Sequence, residues 1–399
     1  MRPLEIMLIA GEPSGDLLAA ELVGSIRAEA AAIPQSKLDA PRFFGAGGPQ
    51  MAAAGVELAF DLTQHSVIGL WEVVRNYATF RRFFNQLLAL ACERKPGVIV
   101  CVDYQGFNSR FARAVRERSR RFAGWRPKLV QYVSPQVWAS RPGRAQRLAD
   151  TVDLLISIVP FEKPWYAERV PRLRVEFVGH PIVGRHGNAD ATDASNDSAP
   201  STLRHSPSTP RVLLLPGSRV GELKRHIPPM LEAVRIIRRE LPAVTFCMVL
   251  PGEDLKPLAN HAAALGVAMQ VGGLGAALRE ATVAIASTGT VTLECAWFGV
   301  PAVALYKTSG LTYMIGRQLV TVDFLAMPNL LAGREVFPEF VQNAATGGNL
   351  AHAALDLLRD DSRRASVKEQ LAKVVASLGP PGASNRAAKA VLNCVDLSG

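Results

Sequence analysis

Two doubly wound α/β domains, the second followed by closing helices, are what this sequence predicts, and three observations carry the prediction. Short apolar runs that end in glycine turns alternate with amphipathic stretches, the pattern of buried parallel strands and crossover helices. The 399 residues are too many for one compact core and, at 48% apolar, enough to fill two. Between Gly187 and Pro210 the chain reads GNADATDASNDSAPSTLRHSPSTP, a composition that supports no core and marks a low-complexity linker or loop. The layout is therefore an N-terminal α/β domain over residues 1–186, the linker over 187–210, and a C-terminal α/β domain over 211–399.

In the first domain Leu4 to Ala10 reads as a buried strand. Gly11-Glu12-Pro13-Ser14-Gly15-Asp16 then turns into a helix from Leu17 to Ala28, with Ser14 as its N-cap and Asp16 complementing the helix dipole. Glu12 and Asp16 read either as capping and solubility residues or as the beginning of a site. Phe43 to Gly48, Val98 to Val102, Leu129 to Tyr132, Leu154 to Ile158 and Val175 to Val178 continue the strands, with helical pattern such as Phe111 to Arg121 between them. Ligands of open parallel sheets gather outside the C-terminal strand ends, so Asp103, just after Val102, stands where a general base could act. The alternative for Asp103 is a helix cap.

The second domain opens on RVLLLPGSRVGELKR, Arg211 to Arg225. Val212 to Leu215 is a strand, and Pro216-Gly217-Ser218 stops it before a helix. Backbone N–H groups in such a turn can approach an anion closely, and Arg219 adds a guanidinium suited to a diphosphate. A solvated arginine on an ordinary loop is the other reading. Strands near Thr245, Met269, Val283 and Ala302 follow. After Val283 to Ala286, Ser287-Thr288-Gly289-Thr290 opens a helix that carries Glu294; its hydroxyls and N–H groups suit phosphate, and the carboxylate suits two ribose hydroxyls. The competing reading is a helix cap with an inward Glu, which would be costly without a partner in LECAW. Helical pattern from Leu350, broken at Pro380-Pro381-Gly382, closes the chain with Asn385 to Leu392. Two such domains predict a ligand in the cleft between them.

The net charge of +10 favours acidic partners: phosphorylated ligands, anionic lipid or nucleic acid. Cys92, Cys101, Cys247, Cys295 and Cys394 are scattered among apolar neighbours and read as buried thiols, not as a disulfide framework or a metal cluster. Glu5, Gly11, Glu12 and Asp16 interrupt the N-terminus too early for a signal peptide, and no apolar run reaches the roughly eighteen residues of a membrane span. A cytoplasmic protein, at most attached to a membrane surface, is the expectation.

Eight blocks in order then resemble the lipid-A-disaccharide synthase family, glycosyltransferases of the GT-B fold, in which two Rossmann-like domains face a cleft. They are GEPSGD (Gly11 to Asp16), FGAGGPQMAAAG (Phe44 to Gly55), VDYQGFN (Val102 to Asn108), YVSPQVWASRPGR (Tyr132 to Arg144), PFEKPWY (Pro160 to Tyr166), FVGHP (Phe177 to Pro181), LLPGSRVGEL (Leu214 to Leu223) and PNLLAGREVFPEF (Pro328 to Phe340). The resemblance implies transfer from UDP-2,3-diacylglucosamine to the 6-hydroxyl of 2,3-diacylglucosamine 1-phosphate (lipid X), with release of UDP and formation of a β-1,6 disaccharide in lipid A biosynthesis. It implies Asp103 as base, Glu12 and Ser14 near the reacting sugars, Arg219 on the diphosphate, Glu294 on the ribose, and Asn329 in the donor site; Gly217, Ser218, Thr288, Gly289 and Thr290, read from their turns, complete the expected UDP-sugar contacts. It implies no cofactor and no nucleic-acid partner, and it leaves a homodimer open. Pro13, Ser140 and Gly106 depart from the family's usual alanine, tryptophan and second aspartate. The chain has no Asp-x-Asp motif, which makes a metal-free mechanism the expectation. His180 reads as a substrate contact or as a structural hydrogen bond.

The stretch Ser66 to Leu88, SVIGLWEVVRNYATFRRFFNQLL, sets Val67, Leu70, Trp71, Val74, Tyr77, Phe80, Phe84 and Leu88 at helical spacing beside arginines. Alone it reads as a core helix. A diacyl-sugar substrate shifts the reading to an interfacial helix, with Val67, Ile68, Leu70, Trp71 and Val74 in acyl or membrane contact at the inner face of the inner membrane. Two other functions fit the two domains: an isomerase like UDP-N-acetylglucosamine 2-epimerase, which needs no lipid acceptor, and a non-catalytic nucleotide-sugar-binding protein.

Overall fold

A computed structural model describes residues 3–33, 39–65, 77–121, 124–185 and 209–395. The expected membrane contacts Val67, Ile68, Leu70, Trp71 and Val74 and nearly all of the 187–210 linker lie outside the described residues. The described chain forms two compact units, each built on one fully parallel sheet.

The first sheet runs in the order β3-β2-β1-β4-β5-β6-β7, from β1 (Glu5–Ala10), β2 (Arg42–Gly47), β3 (Glu57–Asp61), β4 (Val98–Val102), β5 (Lys128–Tyr132), β6 (Leu154–Ser157) and β7 (Arg174–Phe177). Both faces of β1 are buried, as a central parallel strand requires. Ile6 and Leu8 pack with Leu18, Leu22 and Ile26 of the helix Pro13–Ala31; Met7 and Ile9 face Phe83 and Leu87 of the helix Tyr77–Arg94 and Phe111 of the helix Gln105–Ser119. Phe83, Leu87 and Leu88 are therefore core residues, and Phe84 packs edge-on against Phe107 and Phe111. This end of the amphipathic stretch serves the first unit's interior, so the interfacial reading does not extend to Phe84 and Leu88.

The second sheet runs β10-β9-β8-β11-β12-β13, from β8 (Arg211–Leu215), β9 (Thr245–Leu250), β10 (Ala268–Val271), β11 (Val283–Ser287), β12 (Ala302–Tyr306) and β13 (Glu339–Val341). Its long helix Val220–Glu240 packs against the helix Gly347–Arg359.

The helix Ala383–Leu392 departs from the expected 211–399 assignment. From Leu378 onward the chain belongs to the first unit. Ala387, Ala388, Val391 and Leu392 join Leu22 and Ile26 in one core cluster; the small side chains of Ala387 and Ala388 let this helix lie close on Pro13–Ala31. Arg386 fixes the return by donating to the carbonyls of Val178 (2.9 Å), Pro380 (2.6 Å) and Pro381 (2.7 Å), and the His180 N–H donates to the Leu378 carbonyl at 2.8 Å. Adjacency in sequence did not decide adjacency in space, because a helix docks wherever its apolar stripe is complemented.

The loop after β5 is held by a buried carboxyl. Glu162 is 1% exposed, accepts from Trp138 Nε1 at 2.8 Å and lies 2.5 Å from the Ser157 hydroxyl. Burial pushes its pKa up to about 7, against the pull of bonds from Ser157, Trp138 and Ser134.

Two outcomes follow from this packing. Leu392→Ala should destabilise the protein by about 2–4 kcal/mol, and hydrogen exchange should rise in the helix Pro13–Ala31 while β8 to β12 stay protected. Loss of protection in the second sheet instead would contradict the docking. For Glu162 the folded pKa lies above the ordinary carboxylate value, so its stabilising contribution is present below about pH 4.5 and is lost as pH rises through about 7. Urea midpoints of Glu162→Gln should therefore gain on wild type between pH 5 and 8; parallel pH profiles would refute it.

Candidate active site

In each sheet the strand order reverses once, between β1 and β4 in the first and between β8 and β11 in the second. Loops leaving the C-terminal ends of strands part to opposite faces at such a point, and the gap between them is where open α/β sheets take ligands. The four candidate motifs fall on those two strand pairs.

In the first unit Ala10 lies opposite Val102 in the parallel register, which brings the turn after β1 beside the turn after β4. Gly11 is covered by the Tyr104 ring so closely that a Cβ would overlap it. A Cβ on Gly15 would stand 3.6 Å from the Asp103 Cβ, so the Asp103 carboxylate starts from the N-terminus of the helix Pro13–Ala31, where the dipole favours negative charge. Glu12 is the N-cap of that helix and Pro13 its first residue; Ser14 is exposed inside the first turn, not the cap that was expected. Burial, followed by the Glu12 charge, raises the pKa of Tyr104.

Asp103 and Tyr104 are both left-handed, with φ of 49° and 43°, and so is Val133 at 68°. Each such non-glycine residue costs about 1–2 kcal/mol, and strain of this kind persists only where neighbours over-determine it. Here side-chain amides do so. Asn108, fully buried, donates through Nδ2 to the carbonyls of Asp103 (2.8 Å) and Val102 (3.1 Å), and Gln131 Nε2 reaches the Val133 carbonyl at 3.2 Å. The Asp103 N–H donates to the Tyr132 carbonyl at 2.8 Å. Asp16, expected at the helix dipole, is buried and accepts from the N–H groups of Gly48 (2.8 Å), Gln50 (2.9 Å) and Met51 (3.1 Å); it caps the neighbouring helix Pro49–Ala53.

In the second unit Leu215 lies opposite Ala286, so Pro216 to Arg219 neighbour Ser287 to Thr290. Ser218, Arg219, Gly289 and Thr290 are exposed, and Thr288 and Glu294 are half-buried on and after this turn. Gly217 has φ 115°, and its missing Cβ leaves room for the Glu222 carboxylate, which accepts from the N–H groups of Ser218 (3.0 Å) and Arg219 (3.3 Å). Two of the loop amides expected to meet an anion are thus already matched to one, a carboxylate three residues into the helix; the guanidinium of Arg219 stands 3.8 Å from it. Asn329 is buried and bonded within its own loop. Its Nδ2 donates to the Phe337 carbonyl (2.9 Å) and to Glu339 (3.2 Å), while its Oδ1 accepts from the N–H groups of Val336 (2.9 Å) and Phe337 (2.8 Å). Its full amide capacity closes the 329–339 loop.

His180 likewise serves the backbone, its Nδ1 accepting from the Ile182 N–H at 3.2 Å; burial, reinforced by Arg185, lowers its pKa to about 4. Sequence reading missed Tyr104, Asn108, Gln131, Glu222 and His226, although the first two sit within VDYQGFN and Glu222 within PGSRVGEL. Among the described residues no helix is long and apolar enough to cross a membrane.

A profile of the lipid-A-disaccharide synthetase family matches residues 6–394. The lipid-A-disaccharide synthase of Trichlorobacter lovleyi is 35% identical over 404 residues, covering 100% of this chain and 99% of its own. That of Myxococcus xanthus is 34% identical over 393 residues, covering 98% and 97%. Among solved structures, a putative UDP-N-acetylglucosamine 2-epimerase from Listeria monocytogenes aligns with a TM-score of 0.63 at 15% identity, over 99% of this chain and 97% of that one. The calicheamicin glycosyltransferase CalG4 aligns at 0.59 and 16%, over 99% and 100%. Identities this low speak for the fold alone, and it is the GT-B class. The sequence relatives reach further: matched from the first strand to the last helix, this chain belongs to the lipid-A-disaccharide synthase family, the glycosyltransferases that form the lipid A disaccharide.

Proposed function

We propose that the enzyme transfers 2,3-diacylglucosamine from UDP to the 6-hydroxyl of 2,3-diacylglucosamine 1-phosphate with inversion at the anomeric carbon. The observation that carries this reading is the backbone at Asp103, bent into two consecutive left-handed residues at a strand-order switch and held there by a buried asparagine. Strain kept at such a point is best explained by a side chain that must be aimed.

In this mechanism the Asp103 carboxylate accepts the proton of the acceptor 6-hydroxyl as that oxygen attacks the anomeric carbon. The bond to the UDP oxygen breaks on the opposite side, and the leaving diphosphate gains negative charge. Arg219, the Ser218 hydroxyl and the N–H groups opening the helix Thr290–Trp297 stabilise that charge, and Glu294 accepts from the ribose hydroxyls. Glu12 and Ser14 flank the acceptor side. Because Glu222 holds the Ser218 and Arg219 amides, the guanidinium and not those amides is the main donor to the diphosphate from this loop.

The reaction belongs at a lipid surface, on the cytoplasmic face of the inner membrane. Extracting acyl chains into water costs about 0.8 kcal/mol per methylene. The exposed Arg110, Arg113, Arg118 and Arg120 on and just after the helix Gln105–Ser119 add attraction to anionic lipid.

Asp103→Asn keeps the side-chain shape and removes the proton acceptor, so turnover should fall by about two to four orders of magnitude with UDP affinity intact; near wild-type turnover would refute the assignment. Arg219→Lys keeps the charge and loses the planar fork, so UDP should bind several-fold more weakly by calorimetry and transfer should slow. Unchanged affinity together with unchanged turnover would return Arg219 to the solvated surface.

A further inference from the structure

The loop that carries Arg219 is tied to a distant strand by one buried imidazole. His226 lies one turn beyond Glu222 on the helix Val220–Glu240 and is 0% exposed. Its Nδ1 is 2.8 Å from the Pro216 carbonyl oxygen, and its Nε2 is 3.0 Å from the Lys307 backbone nitrogen. A carbonyl only accepts and a backbone N–H only donates, so the ring is neutral with its proton on Nδ1.

Pro216 follows β8 and Lys307 follows β12, and these strands are not neighbours. Between them runs β11, which delivers Ser287 to Thr290. An imidazole with a hydrogen bond at each end thus joins the Pro216 carbonyl to the Lys307 N–H past the end of β11. The far end is itself fixed. Lys307 Nζ donates to the carbonyls of Gln342 (2.9 Å) and Ala345 (3.1 Å), and the Gln342 amide pairs with both the N–H (2.9 Å) and the carbonyl (2.8 Å) of Thr308. The charges acting on the ring are Glu222 and Arg225 on its own helix; burial, reinforced by Arg225, outweighs the upward pull of the Pro216 bond and of Glu222 and lowers its pKa, which keeps it neutral.

We propose that His226 is a positioning residue for the donor diphosphate: it holds the Pro216–Arg219 loop at a fixed distance from the Lys307 segment, across the Ser287–Thr290 turn, without touching substrate. The proposal rests on the donor site assigned above. It predicts that losing the imidazole weakens the donor side alone.

The test is UDP calorimetry and steady-state kinetics on the full chain with three substitutions. His226→Leu removes both ties. His226→Asn places an amide nitrogen near the Nδ1 position and keeps the Pro216 tie, whereas His226→Gln can offer an oxygen near the Nε2 position and keeps the Lys307 tie. UDP affinity should fall about tenfold in the first and about threefold in the other two, the scale of one or two hydrogen bonds. Donor KM should rise in the same order with acceptor KM unchanged. Lowered melting temperature with wild-type UDP affinity in all three would make His226 merely structural and overturn the proposal. If His226→Leu does not fold, the other two decide it by the same criterion. Arg219→Ala separates the proposals: unchanged UDP binding in that variant sinks the donor-site reading itself, while weakened binding there beside unaffected His226 variants sinks only this one.

Discussion

The handedness of the βαβ crossover governs where the candidate groups of this chain stand. A right-twisted strand can feed the next parallel strand only through a right-handed connection, so a sheet built outward from its middle places helices on opposite faces when the direction of growth changes. That change occurs at β1 and β4 in one unit and at β8 and β11 in the other. Glycine turns, Asp103 and the PGSR loop stand at the C-terminal ends of those four strands because no other edge leaves room between two diverging helices.

Room alone does not aim a side chain, and the two units solve that problem with similar means. Loop backbone that leaves the regular ladder needs new partners. Asn108 and Gln131 supply them around Asp103; Glu222 and His226 supply them around Arg219, and Asn329 with Glu339 does so between Leu325 and Phe337. The polar residues that bind these loops are buried or half-buried on the adjoining helices and strands, so the geometry of the exposed groups is inherited from packed elements.

The strands at the centre of each sheet were legible because a strand buried on both faces must be an unbroken apolar run, as in Ile6 to Ala10 and Val212 to Leu215. The edge strands Glu57–Asp61 and Glu339–Val341 escaped notice, since each is only partly covered and carries acidic residues. The placement of Asp103 at a strand end was legible from its position after Val102, and that of Arg219 from the turn after Leu215. Ser14 was misread because proline at position 13 already opens the helix, which moves the cap back to Glu12. The bonds of Asn329 were hidden because its partners, Val336, Phe337 and Glu339, lie beyond the reach of local pattern, and the docking of Ala383–Leu392 on Pro13–Ala31 is more remote still.

That last docking has a consequence for biosynthesis. The second unit is one continuous stretch of chain ending at Ser377, whereas the core of the first needs Ala387, Val391 and Leu392, which are translated after it. Domains commonly finish in the order they leave the ribosome, N-terminal first. Here that order is inverted: the second unit has all its parts earlier, and the first stays open along one side of Pro13–Ala31 until the final helix has been made. Until then Leu22 and Ile26 present an uncovered apolar strip, the surface a nascent-chain chaperone would shield.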